Sequence, residues 1–261
     1  RAGDGALFED GVVTDSDGRT VHAREAYFVL TTNAGAQDSR LYISDCAANP
    51  TFTDVTTTQI NGLTAITYER SAVSGDLTGD GYPDLLRNDS GGVEIYFNDG
   101  LAAGFTFGNA SQNPDITYTS WPDRGFNTEG AAFLDYDGDG DLDVVLDNHN
   151  NGVVLLQNDG AGNLTYLTSG VSGLPQNNSG AGDYLTVADL DLDGDTDIIV
   201  RKGGTDIFTN RRIETGSATF ANNPNFNQAE NNSNKGGIAV CDFNLDGRPD
   251  IFWTDQGTNQ I

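Results

Sequence analysis

The chain has 261 residues, of which 39 are acidic and 13 are lysine or arginine, and its formal net charge is −26. Nucleic acid and anionic membrane surfaces would repel this charge, so we exclude both as partners. A hydrophobic content of 36% with 33 glycines is typical of strands and turns, and the length is enough for one domain with a sizeable core. The sequence contains no run of 18 apolar residues, so we expect no membrane insertion.

The first 60 residues contain apolar runs that predict strands at 27–30, 40–43 and 51–55. Residues 5–9 resemble a further strand that stands alone. Between them, Asp17–Glu25 has the first and last acids of a spacing that is complete four times later in the chain. The chain begins at Arg1 with neither Met nor a signal segment, so we expect a processed chain or a part of a longer one.

From residue 76 onward, one pattern of nine residues occurs four times, with oxygen-bearing side chains at positions 1, 3, 5 and 9 and glycine at position 6. This spacing lets several oxygens converge while the chain turns sharply, which indicates a calcium loop. The predicted side-chain ligands are Asp76, Thr78, Asp80 and Asp84; Asp135, Asp137, Asp139 and Asp143; Asp189, Asp191, Asp193 and Asp197; and Asp242, Asn244, Asp246 and Asp250. The backbone carbonyl of position 7 is a further predicted ligand, and it belongs to Tyr82, Asp141, Asp195 and Arg248. Because Asp17–Glu25 has Arg19 and Val21 at positions 3 and 5, we expect that this segment has lost its ion.

The four loops differ from EF-hand loops, in which helices flank the loop and a Glu at position 12 completes the shell of the ion. Position 12 here is Arg87, Leu146, Val200 or Trp253, none of which is acidic. Short β-branched and apolar runs follow position 9, as in Ile198–Val200. We therefore predict that each loop joins two strands.

Position 1 of the loops falls at residues 76, 135, 189 and 242, so the repeats are 59, 54 and 53 residues long. A period of this length made of strand signals indicates a repeat architecture. Each repeat predicts four antiparallel strands, with the calcium loop between the first and the second. The predicted strands are 131–134, 144–147, 153–157 and 163–167 in one repeat, 94–97 and 104–107 in the repeat before it, and 206–209 and 218–220 in the repeat after it.

Four-stranded sheets packed around a common axis form a β-propeller, so we predict an all-β fold with a single propeller domain of about five repeats. The predicted blades cover approximately residues 11–60, 71–110, 130–169, 184–222 and 237–261 of the chain 1–261. Two arrangements remain open. Either residues 5–9 complete the last blade of a closed five-blade ring, or the chain is a segment of a ring of roughly six to eight blades.

Two cysteines allow at most one disulfide. Cys241 directly precedes position 1 of its loop, where other repeats have Leu134 or Ala188, and this predicts a packed side chain. Cys46 falls where other repeats have turn residues. Because bridged Cα atoms lie within about 7 Å of each other, we favour two unpaired thiols over a disulfide.

The repeated Asp-x-Asp-x-Asp-Gly-x-x-Asp, followed by an Asn in strand three and Gly-x-x-Phe in strand four, resembles the FG-GAP/VCBS repeat family, which includes the propeller of integrin α subunits. The resemblance covers residues 71–261 strongly and 1–70 weakly. It implies a secreted or cell-surface propeller with about four Ca²⁺ sites. It does not imply one activity, because the family includes adhesins, lectins and domains attached to polysaccharide-degrading enzymes. Thr78 and Asn244 depart from the acidic ligand type and supply less charge.

For a ligand surface, the segments that connect one blade to the next are the strongest candidates, on the face opposite the calcium loops. The longest of them, Ser111–Gly130, contains Tyr118, Trp121 and Arg124. An exposed Trp could stack on a sugar ring or receive a side chain of a partner. Alternatively, Trp121 fills a gap between blades.

We therefore predict an extracellular, calcium-stabilised binding or adhesion module for a protein or glycan of the cell surface or matrix, within a larger surface or filament assembly that includes possible self-assembly. The loop ions are expected to stabilise the fold rather than contact the ligand. We expect no enzyme, because the chain has only His22 and His149 and no nucleophile or zinc motif. The alternatives are a carbohydrate-active domain, lyase or glycosidase, and a purely structural building block.

Overall fold

The structure is a computed structural model, and it describes residues 8–9, 12–14, 20–22, 27–30, 40–44, 51–60, 69–89, 92–98, 100, 107–109, 128–148, 152–175, 184–201, 204–229 and 237–253. These residues form 20 strands and three helices of four residues each. Every strand pair among them is antiparallel. The prediction of an all-β fold is confirmed at this level.

The N-terminal part forms two three-stranded sheets. Sheet I consists of β1 (Phe8–Glu9), β2 (Val12–Thr14) and β3 (Thr20–His22). Sheet II consists of β4 (Tyr27–Leu30), β5 (Arg40–Ser44) and β6 (Phe52–Asp54), and helix α1 (Thr56–Gln59) follows it. Sheet II therefore has strands at all three positions predicted from the apolar runs at 27–30, 40–43 and 51–55.

Strand β3 lies inside Asp17–Glu25, which the sequence predicted as a calcium loop without its ion. Val21 pairs with Val13 of β2, so this part of the segment belongs to a hairpin. The physical signal is in the sequence: Asp17-Gly18 stands between two β-branched runs, and such a dipeptide favours a hairpin. The loop prediction at this position is wrong.

Sheets III, IV and V have four strands each, paired in chain order. Sheet III contains β7 (Glu69–Gly75), β8 (Asp84–Asp89), β9 (Gly92–Asn98) and β10 (Phe107–Asn109). Sheet IV contains β11 (Thr128–Leu134), β12 (Asp143–Asn148), β13 (Gly152–Asn158) and β14 (Leu164–Leu167), followed by helix α2 (Ser169–Ser172). Sheet V contains β15 (Tyr184–Ala188), β16 (Asp197–Arg201), β17 (Gly204–Asn210), helix α3 (Arg212–Thr215) and β18 (Phe220–Ala229). Sheet VI contains β19 (Ile238–Cys241) and β20 (Asp250–Trp253).

The apolar second strands form the core between neighbouring sheets. Val144 and Leu146 of β12 pack in one cluster with Leu86 of sheet III, whereas Val145 packs in another cluster with Ile198 of sheet V. Because successive side chains of a strand point to opposite faces, one apolar run serves both neighbours. Sheet IV therefore lies between sheets III and V.

The first strands of successive sheets lie side by side, β7 next to β11, β11 next to β15, and β15 next to β19. Sheet II packs against sheet III through Leu41 and Tyr96. Successive blades of a propeller would follow each other in this way. Among the described strands, however, β1 pairs with β2 alone and β20 pairs with β19 alone, so no ring closure is present there.

Two smaller predictions differ from the structure. Strand β18 continues to Ala229, beyond the expected end at 222, and pairs with β17 through its amide-rich residues. Cys241 is a free, exposed thiol and not a packed side chain, because it lies on the exposed side of β19, whose residues alternate in burial. Cys46 lies outside the described residues. None of the described helices has the length and apolar character needed to cross a membrane.

Candidate metal centre

Four acidic loops join the first two strands of sheets III to VI, and we name each loop after its sheet. Loop III covers residues 76–84, loop IV residues 135–143, loop V residues 189–197 and loop VI residues 242–250. Strands and not helices flank all four loops. The predicted position between the first and second strands is confirmed.

In each loop, the carboxylate at position 1 accepts hydrogen bonds from backbone N–H groups later in the same loop. In loop IV, Gly138 and Gly140 donate their N–H groups to the two oxygens of Asp135, at N–O distances of 2.7 and 3.1 Å. Backbone N–H groups of positions 5 and 6 make the corresponding bonds to Asp76, Asp189 and Asp242. The glycine at position 6 has φ between 85° and 95° in every loop, where side chains of L-residues are strained. This explains the glycine of the motif.

The carboxylate at position 5 orients the backbone of position 7 through a hydrogen bond. In all four loops that carboxylate accepts the N–H of position 7, at N–O distances between 2.8 and 3.0 Å. The side chain of Asp195 in loop V is bound elsewhere: it accepts the N–H of Ile213 at 2.8 Å and forms an ion pair with Arg212 at 2.5 Å. In loop V, the backbone carbonyl of position 7 is therefore the group left to bind an ion. The contact between this carbonyl and an ion stays a prediction.

In loops III, IV and V the acid at position 9 lies beneath the loop and is buried. Asp84 and Asp143 are fully buried, and Asp197 is 1% exposed. In each case one oxygen accepts the N–H of position 2, at 2.9 Å, and the other accepts the N–H of the last residue of strand three, at 2.8 Å. Burial, with the neighbouring acids of the loop, raises the pKa of Asp143 to about 7 and the pKa values of Asp84 and Asp197 to about 6. A nearby cation would favour the ionised form.

Three carboxylates converge in loops IV and V. Ligand oxygens of Asp135, Asp137 and Asp143 lie within 4.8 Å of one another, and so do those of Asp189, Asp191 and Asp197. These are positions 1, 3 and 9 of the predicted ligand set. Position 5 does not join either group in this geometry, because its carboxylate faces the N–H of position 7. Its role as a ligand remains a prediction.

Unpaired buried oxygens test whether a cation fits these loops. Oγ1 of Thr78, Oδ1 of Asp137 and Oδ2 of Asp193 are buried and accept no hydrogen bond from the described residues. A buried oxygen without a partner destabilises the fold by about 1–3 kcal/mol. Ca²⁺ prefers oxygen ligands, and a bound ion would give these buried oxygens a partner. The residues of loops III, IV and V therefore fit this ion.

Loop VI is the most exposed loop. The amide of Asn244 donates to Asp246 within the loop, at 3.2 Å, and the side chain of Arg248 is exposed. The motif residues are present, yet Asp242, Asp246 and Asp250 do not form a three-acid group among the described residues. Binding at loop VI remains a prediction from the sequence.

One acidic residue that the motif does not contain also approaches loop V. Glu214 of helix α3 lies with Asp191 and Asp193 in a further group of three carboxylates. It follows strand three and comes near the loop only through the tertiary fold, so nothing in its local sequence marked it. It also pairs with Arg211 at 3.6 Å.

Tyr118, Trp121 and Arg124, which were predicted to form a surface for a glycan or protein, lie outside the described residues. His149 lies outside them as well. The described part contains a cavity of about 290 Å³ between sheets V and VI. Its lining combines an aromatic ring with amide and hydroxyl groups, and it includes Thr209, Asn223, Asn225 and Phe226. The lining also includes Asp191 and Asp197, so the cavity adjoins loop V.

Comparison with known proteins is consistent with this repeat structure. The model of the FG-GAP-like repeat matches twice, at residues 76–146 and 135–200. No curated protein matches the sequence. Among solved structures, a lectin of Agrocybe aegerita that specifically recognises non-reducing terminal N-acetylglucosamine is similar, with a TM-score of 0.51 and 19% identity over 94% of this chain and 68% of the lectin chain. At this identity the likeness concerns the fold alone. The two matches together span residues 76–200, and over this part of the chain the FG-GAP-like repeats that the sequence predicted are confirmed.

Proposed function

We propose that the protein is a calcium-stabilised, non-catalytic β-propeller module that binds a glycan or protein partner outside the cell. The observation that carries the calcium part is the convergence of three carboxylates in loops IV and V around a buried acid. Two carboxylates ~4 Å apart repel each other by roughly 4 kcal/mol at an effective dielectric constant of ~20. A bound divalent cation removes this repulsion and supplies a partner for the unpaired oxygens.

The role proposed for the ion is structural. Asp135 directly follows β11 and Asp143 begins β12, so an ion held by both would fasten the first two strands of their sheet. Extracellular calcium modules have dissociation constants of about 10⁻⁴ to 10⁻³ M. Sites with such constants would be filled at the millimolar calcium outside cells, and this is the location that we propose.

The propeller arrangement is supported by the succession of sheets II to VI. About five blades remain our estimate for this chain. A closed ring would protect the edges of the first and last sheets. The segment Ser111–Gly130 remains the candidate ligand surface on one face, and a cell-surface or filament assembly is the proposed setting.

Binding of a glycan is favoured by one further observation. The cavity between sheets V and VI offers Phe226 for stacking and the amides of Asn223 and Asn225 for hydrogen bonds. Sugar rings present both apolar faces and hydroxyl groups, which match this lining. The similar lectin recognises N-acetylglucosamine, and this saccharide is therefore the first probe.

The experiment has two arms. In the first arm, thermal unfolding of the protein is followed in calcium and in chelator, and we expect a higher Tm in calcium; an equal Tm would refute the calcium proposal. In the second arm, the calcium-loaded protein is tested on a glycan array together with Phe226→Ala and with Trp121→Ala. Loss of binding in one variant would locate the surface, whereas no binding to any glycan would leave the protein-partner form of the proposal, tested by pull-down from surface extracts.

A further inference from the structure

The asparagine at the end of strand three connects neighbouring loops. Nδ2 of Asn158 in sheet IV donates to the carbonyl oxygen of Leu77 in loop III, at 2.7 Å. The same Nδ2 donates to the carbonyl oxygen of Leu142 in its own loop, at 2.9 Å. Its backbone N–H donates to Oδ1 of Asp143, at 2.8 Å. One residue thus holds position 2 of the preceding loop and position 9 of its own loop.

The same connection occurs one sheet further along. Nδ2 of Asn210 in sheet V donates to the carbonyl oxygen of Tyr136 in loop IV, at 2.8 Å, and its backbone N–H donates to Oδ1 of Asp197, at 2.8 Å. Both asparagines are buried, Asn158 with 3% and Asn210 with 1% exposure. Water therefore does not compete for these bonds.

The bonds form one continuous path through three loops. Position 2 closes each step, because its N–H donates to the position 9 acid of the same loop while its carbonyl accepts from the next asparagine. The residues in order are Asp84, Leu77, Asn158, Asp143, Tyr136, Asn210, Asp197 and Leu190. The three position 9 acids are all predicted calcium ligands.

We propose that Asn158 and Asn210 are positioning residues that couple the calcium sites of loops III, IV and V, so that an ion in one loop raises the affinity of the next. This inference rests on the proposed function, because it requires that the loops bind calcium. It adds that the sites do not fill independently.

The sign of the coupling follows from ordering. Position 2 lies between the predicted ligands at positions 1 and 3, so an ion in loop III fixes the carbonyl of Leu77. The fixed carbonyl holds the side chain of Asn158, and the backbone N–H of the same residue orients the carboxylate of Asp143. The second ion then finds its ligand already ordered and loses less conformational entropy on binding.

Asparagine is suited to this position by its side chain. It donates through Nδ2 and accepts through Oδ1, which takes the N–H of Gly162 for Asn158 and the N–H of Arg212 for Asn210. Aspartate would keep the acceptor but lose the donor. Alanine would lose both and keep only the backbone bond to the position 9 acid.

Sheet III provides a matched control. Asn98 occupies the same place, is 3% exposed, and its N–H donates to Oδ1 of Asp84. Its Nδ2 donates to the carbonyl oxygen of Pro83 in its own loop, at 3.2 Å. Among the described residues it makes no bond to loops IV to VI, so Asn98→Ala removes a contact within loop III and leaves the links between loops III, IV and V in place.

The test measures how disabling one site affects the others. Asp135→Asn with Asp137→Asn removes two ligands from loop IV, and calcium binding to the remaining sites of the full chain is measured by titration calorimetry. The same pair of substitutions is introduced into Asn158→Ala/Asn210→Ala and into Asn98→Ala. We expect the remaining affinity to fall about fivefold or more in the otherwise unchanged protein and with Asn98→Ala, but less than about twofold with Asn158→Ala/Asn210→Ala.

A second readout leaves all asparagines in place and so does not depend on the folding of their variants. Amide exchange of residues 76–84 is compared with and without the loop IV substitutions, at one calcium concentration. Faster exchange in the loop-IV-disabled protein supports coupling.

Three results would overturn the inference. If the affinity falls equally with and without Asn158 and Asn210, the two asparagines do not carry the coupling. If exchange in residues 76–84 is unchanged, loops III and IV are not coupled. In both cases calcium binding stands. If the unchanged protein takes up no calcium at millimolar concentration, both the coupling and the proposed function fail.

Discussion

Replacement of the buried acid of loop IV, Asp143→Asn, separates the role of the ion from the role of the fold. One oxygen of Asp143 accepts the N–H of Tyr136 and the other accepts the N–H of Asn158. An amide has only one oxygen, so one buried N–H loses its acceptor. This loss destabilises the protein by about 1–3 kcal/mol with or without calcium.

The loss of the ion comes in addition, and only in calcium. A site with a dissociation constant of about 10⁻⁴ M stabilises the folded state by about 2.7 kcal/mol when calcium is at ~100 times that value. For a chain of this size, 1 kcal/mol corresponds to about 2–4 °C in Tm. The gain in Tm that calcium provides should therefore be about 5–10 °C smaller in Asp143→Asn than in the unchanged protein.

Asp141→Asn in the same loop is the matched control. It removes the same charge, but position 7 is expected to bind through its carbonyl, which the substitution keeps. Differential scanning calorimetry of the two variants, each in calcium and in chelator, gives the comparison. If Asp143→Asn keeps the whole calcium-dependent gain in Tm, or if Asp141→Asn loses as much of it, the carboxylate at position 9 does not hold the ion.

Three further outcomes are expected. Burial raises the pKa of Asp143 to about 7, so the folded protein holds this proton more tightly than the unfolded chain does. Without calcium, the free energy of unfolding should therefore fall as the pH rises from about 4 to 7. Urea unfolding at a series of pH values measures this change. Leu155→Ala, at a side chain with no exposure, should destabilise by about 2–5 kcal/mol, and the exposed Thr165→Ala in the neighbouring strand by less than about 0.5 kcal/mol, as measured by urea unfolding. Leu245 has φ of 62° and is 87% exposed, so Leu245→Asn should stabilise by up to about 1 kcal/mol, and an unchanged urea midpoint would contradict strain there.

The loops could be predicted because their structure is local. Nearly all bonds of loop IV that turn the chain join residues within nine positions, such as Asp135 with Gly140 and Asp139 with Asp141. Spacing alone therefore encodes them. The strands between loops could also be located, because their apolar residues occur in short runs bounded by turn residues.

The features that the sequence did not reveal depend on contacts between distant residues. Glu214 approaches Asp191 through the placement of helix α3, and no local pattern encodes that contact. The bond from Asn158 to Leu77 spans 81 residues. The sequence marked the asparagine as part of a repeat but not its partner. At Thr20–His22 the error had a local cause. The spacing of Asp17 and Glu25 indicated a loop, although Asp17-Gly18 between two β-branched runs indicated a hairpin.

Asn158 and Asn210 place loops III, IV and V together at one end of their sheets. The acids of these three loops therefore concentrate negative charge at that end, and the amount of charge depends on how many ions the loops hold. A diffusing partner with basic groups would be oriented by this charge before contact, and a neutral sugar would not. Calcium would then influence the direction of approach as well as the rigidity of the sheets, and the effect on encounter rates would fade as ionic strength rises.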